Sequence, residues 1–61
     1  MTASQALERR RERILEEIEA RFGLARSEVV SAMYDLEGDP WMEARQTELA
    51  AIGKAMAAIS D

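Results

Sequence analysis

Apolar residues recur at helical spacing along almost the whole chain, with turn signals at Gly23-Leu24 and at Gly38-Asp39-Pro40 dividing it into three segments. That spacing gathers side chains on one face of a helix, whereas a strand needs alternation at every second residue. No period-2 run is sustained, and β-branched residues are few. The pattern predicts an all-α fold with three helices, at about 3–22, 27–37 and 40–59, forming one domain over residues 1–61.

Each boundary has a chemical reason. Thr2-Ala3-Ser4-Gln5 has the form of a capping box, in which a hydroxyl and a Gln side chain satisfy backbone N–H groups at a helix start. Gly23 supplies a residue that tolerates positive φ, and Leu24 is the apolar residue that commonly follows such an ending. Ser27 is the expected cap of helix 2, with Glu28 next to the positive helix end. Asp39-Pro40 is the sharpest signal: Asp caps, and Pro suits the first helical position because its missing N–H would have no partner there.

Helix 1 places Leu7, Ile14, Leu15, Ile18 and Phe22 in one stripe, and helix 2 places Val29, Ala32, Met33 and Leu36 on one face. Helix 3 aligns Met42, Leu49, Ile52, Met56 and Ile59 with alternating steps of three and four. The expected core combines Leu7, Ile14, Ile18, Phe22, Val29, Met33, Leu36, Leu49, Ile52 and Met56. The two arrangements compatible with these faces are an up-down-up bundle and a long hairpin with a short cross helix.

Size then limits what the chain can do alone. At 61 residues it is below the range in which one apolar core comfortably offsets chain entropy. It has no Cys and no His, so neither a disulfide nor a zinc site of the usual ligands can staple it. Self-association is the remaining staple, and a homo-oligomer is expected. A hydrophobic fraction of 48% separates the chain from disordered sequences. No apolar run approaches the length of a membrane span. The first ten residues are charged and have no apolar segment of the signal-peptide kind, so a cytoplasmic location is expected.

The missing His also removes the side chain most used for proton transfer near neutrality. Serines 4, 27, 31 and 60 have no base to activate them. Asp35, Glu37 and Asp39 begin like a calcium loop, but Pro40 stands where Gly is needed and Gln46 where the bidentate Glu belongs. Gly53-Lys54 lacks the upstream glycine and following Ser/Thr of a phosphate loop. No enzyme, metal, cofactor or small-molecule substrate is expected.

Charge is polarised. Residues 1–26 carry six Arg and five Glu, and residues 27–61 carry one Arg, one Lys and seven acids, giving the net −4. Arg9-Arg10-Arg11-Glu12-Arg13 is the basic cluster, expected to be a solvated face with pairs such as Arg13–Glu17 and Glu17–Arg21. Arg11 and Arg45 fall inside the apolar stripes of helices 1 and 3, so each must reach water or meet a carboxylate, in this chain or a second subunit. Val30 and Tyr34 turn away from the core face of helix 2, and Trp41 follows closely. The candidate interface is therefore Arg11, Val30, Tyr34, Trp41, Arg45, Leu49, Ile52, Met56 and Ile59.

Residues 14–36, ILEEIEARFGLARSEVVSAMYDL, resemble a helix-turn-helix unit, with Ile18, Phe22, Gly23, Leu24 and Val29 at the spacings such units use. The resemblance covers about a third of the chain. It implies a dimeric DNA-binding regulator touching phosphates through Arg9, Arg10, Arg13 and Arg26. Against it, the second helix carries Glu28, Asp35 and Glu37 and no cation, which opposes approach to phosphates. The leading expectation is a small non-enzymatic interaction or regulatory protein that binds a protein partner, and its acidic half suits a basic partner surface.

Overall fold

The computed structural model describes residues 2–59. Three helices are present, with no strand among the described residues: α1 spans Ala3–Phe22, α2 spans Val29–Asp35 and α3 spans Pro40–Ile59. A 3-10 turn, Arg26–Glu28, leads directly into α2.

The capping chemistry read from the sequence holds at three of four places. The Thr2 hydroxyl accepts from the Gln5 N–H at 3.2 Å, and the Gln5 side chain accepts from the Thr2 N–H at 3.0 Å. Gly23 adopts the left-handed conformation at φ 66°, and the Leu24 N–H then reaches back to the Glu19 carbonyl at 2.9 Å. Asp39 Oδ1 accepts from the Met42 N–H at 3.0 Å. Ser27, the expected cap of helix 2, sits inside the 3-10 turn instead. There the Glu28 carboxylate accepts the Ala25 N–H at 2.8 Å. So the second helical segment begins one residue earlier than expected, as a 3-10 turn, and its α-helical part ends at Asp35.

Helix length decides the architecture. At 1.5 Å per residue α1 and α3 are each about 30 Å long, while α2 is about 10 Å. α1 and α3 run antiparallel, since Phe22 meets Trp41 at one end and Arg10 meets Glu48 further down. The cross-links from the Arg26–Leu36 region end on Glu19 and Gln46 toward the closed end of that hairpin and on Glu12 at the middle of α1. The molecule is a long hairpin with a short helix packed at one end. It extends 34 Å along its main axis and has a radius of gyration of 12.3 Å, against about 10.5 Å for a typical compact chain of this length.

The core is small. Ile14, Ile18, Val29, Met42 and Ile52 are its buried members, and Leu7, Leu15, Phe22, Leu24, Met33, Leu36, Trp41, Leu49 and Met56 pack around them half-buried. Met42, expected on the α3 stripe but not in the core, is completely buried. It lies in the first turn of α3, where all three helices converge on one cluster.

Candidate interaction surface

α2 shows opposite characters on its two sides. Val29 is 1% exposed in the core, while Val30 is 63% and Tyr34 77% exposed. These two large apolar side chains are four residues apart, and so stack one turn apart on the outer face. Single exposed apolar residues are ordinary on any protein. Here the pair occupies a helix of only seven residues, among the exposed acids Glu28, Asp35 and Glu37.

Trp41 belongs to a different place. Its ring meets Phe22 edge-on at 5.8 Å and 74°, joining the end of α1 to the start of α3. The Arg21 guanidinium lies 4.6 Å and the Arg45 guanidinium 5.4 Å from the Trp41 ring centre. Such cation–aromatic contacts contribute about 0.5–1 kcal/mol each near a surface. Trp41 thus closes a corner of the hairpin and is half-buried there.

Arg45 finds its carboxylates within the chain. It pairs with Glu48 at 2.9 Å and with Glu17 of α1 at 3.4 Å. Its Nε is buried without a hydrogen-bond partner among the described residues, alongside the Trp41 contact. Glu17 therefore bridges to α3, and Arg21 lies over aromatic rings, in place of the Arg13–Glu17 and Glu17–Arg21 pairs expected along α1. Sequence spacing exposes neighbours on one helix only, so these cross-helix partners were invisible to it.

Arg26 is engaged in the same way. Its Nε donates to Glu19 and its two terminal nitrogens to Glu12, at 2.9 and 3.2 Å. The hydrogen bonds that Arg26 donates hold Glu12 below the usual carboxylate range, and acceptance of them by Glu12 and Glu19 raises Arg26 above its ordinary value. This clamp ties the approach to α2 onto α1. A phosphate would have to displace two carboxylates to reach Arg26.

The remaining candidates scatter. Arg9 and Arg13 are exposed on α1 in a shallow surface groove that also presents Glu8, Glu12 and Glu16. Arg10 pairs with Glu48 at 3.7 Å. Ile52 is in the core, Leu49 and Met56 are half-buried against it, and Ile59 is 46% exposed at the open end of the hairpin. Arg11 is exposed, and its side chain has no hydrogen bond or ion pair among the described residues. Gln46, not singled out from the sequence, donates to the Met33 carbonyl at 3.0 Å and fastens α2 to α3. Its signal was weak: a lone amide facing the unsatisfied carbonyls that end any helix.

Among the described residues no group of three or more Cys, Asp or Glu side chains is placed to hold a metal ion, and no helix is long and apolar enough to cross a membrane. Fold and surface together define a small all-α protein with an outward apolar pair on a short helix flanked by acids. No protein-family model, curated protein or solved structure matches the chain.

Proposed function

We propose that this chain acts by binding a protein partner in the cytoplasm, as a homo-oligomer and without catalysis of its own. The observation that carries the reading is the outer face of α2, where Val30 and Tyr34 stand exposed among Glu28, Asp35 and Glu37. Large apolar side chains, aromatics above all, supply much of the affinity of protein interfaces. An acidic rim steers a basic surface toward them and repels acidic ones. The fitting partner is a basic, amphipathic segment with an apolar stripe.

The resemblance to a helix-turn-helix unit supports DNA binding less well. The helix that would enter the groove is the acidic one, and Arg26 is held by Glu12 and Glu19.

The test places a photo-crosslinking side chain at position 34 and, as a control, at the exposed Glu16. A discrete adduct formed at position 34 and not at 16, with a partner that purified chain binds and Tyr34→Ala loses, supports the reading. Equal adducts at both positions, or unchanged binding by Tyr34→Ala, refute it. Titration of a labelled DNA duplex at low salt covers the alternative. Micromolar or tighter binding, weakening steeply with salt, would favour a nucleic-acid role.

A further inference from the structure

We infer that two copies of this chain pair through the open half of the α1/α3 hairpin, antiparallel, with Arg11 of each copy against Glu8 of the other. The proposal rests on the self-association part of the reading above and names its face.

α2 covers only the closed end of a hairpin three times its length. The cross-links from Arg26 and α2 reach no further down than Glu12 on α1 and Gln46 on α3. Below that level two helices remain, and two helices can bury only the faces they turn to each other. Leu7, Leu49 and Met56 accordingly stay half-buried.

The area agrees. The chain exposes 4419 Å². A compact monomer of 6.8 kDa exposes about 3,950 Å², so the excess is about 470 Å². That is more than half of the ~800 Å² each partner contributes to a standard interface.

The occupant follows from charge. A second copy cannot settle on α2, because Glu28, Asp35 and Glu37 would face themselves. On the open half the charges are mixed. With Ile14 at zero, Leu7, Arg11 and Leu15 stand at about 20°, 60° and 100° around α1, so Arg11 lies between two leucines. The side chains of Arg11 and Glu8 have no hydrogen bond or ion pair among the described residues. In a two-fold pairing, a contact of residue 8 in one copy with residue 11 in the other is repeated as residue 11 with residue 8. An antiparallel approach with its axis level with residues 9 and 10 therefore satisfies both charges twice. It also leaves each α2 beside the other copy's open end, with Val30 and Tyr34 outward.

Sedimentation equilibrium over about 2–200 μM tests this, with far-UV circular dichroism as the check on folding. A reversible dimer is expected. Arg11→Glu and Glu8→Arg, each alone, should raise its Kd about 30-fold, through two like-charge contacts per dimer. The doubly swapped chain, R11E/E8R, should return to within about threefold of the original. Tyr34→Ala should leave the mass unchanged. A folded monomer throughout, a dimer indifferent to the single swaps, or a double swap no better than either single one overturns the proposal. A monomer that still crosslinks a partner through position 34 refutes self-association and this pairing, and leaves the partner-binding reading standing. A dimer that crosslinks nothing there refutes the partner-binding reading alone.

Discussion

Ile18 and Tyr34 carry side chains of comparable apolar weight, and their environments predict opposite consequences of truncation. Ile18 is 0% exposed and Tyr34 is 77% exposed. Cutting Ile18 to Ala removes about three buried carbon atoms and leaves a cavity that the neighbours close only in part, at a cost of about 2–5 kcal/mol. A chain of this length has about 3–9 kcal/mol of stability in all. The unfolding entropy of 61 residues is about 130 cal/mol/K, so each kcal/mol moves the midpoint by about 8 °C. Ile18→Ala should then lower Tm by about 15 °C or more, and Ile18→Val by about 4–12 °C. Tyr34→Ala should stay within about 4 °C, since it empties no packed site. The assay is thermal unfolding followed by far-UV circular dichroism, with all chains at one concentration because association shifts Tm by mass action. Should Ile18→Ala cost less than about 1 kcal/mol, or no more than Tyr34→Ala, the core is not centred where the structure puts it.

Gly23→Ala should lower stability by about 1 kcal/mol through left-handed backbone strain alone, because nothing lies within 4 Å of the added carbon. Matched chemical denaturation curves give that number, and a gain in stability would contradict the Schellman ending. Asp39→Ala should cost about 1 kcal/mol by removing the acceptor for the Met42 N–H, while Asp39→Asn, which keeps an acceptor, should recover most of it. Because Glu12 titrates lower in the folded chain than unfolded, its share of stability is complete above the ordinary carboxylate range and disappears as pH falls through its folded value. Glu12→Gln should flatten the acid limb of a stability–pH curve, and an unchanged limb would dismiss the Arg26 clamp.

Local signals decided most of the fold. The Thr2 box, Gly23, and Asp39-Pro40 each satisfy backbone groups within a few residues, and such chemistry depends on neighbours in sequence alone. Helical periodicity likewise separated Val29 from Val30, and Met33 from Tyr34, because the angle between successive side chains is a property of the helix itself. Tertiary structure decided what depends on distance between helices. It gave Arg45 to Glu17 and Trp41, Arg26 to Glu12 and Glu19, and complete burial to Met42. It also set the short reach of α2, which leaves half the hairpin uncovered. A sequence shows which residues can share a face. Only the assembled helices determine how far each face is covered, because coverage depends on where three rods of unequal length meet.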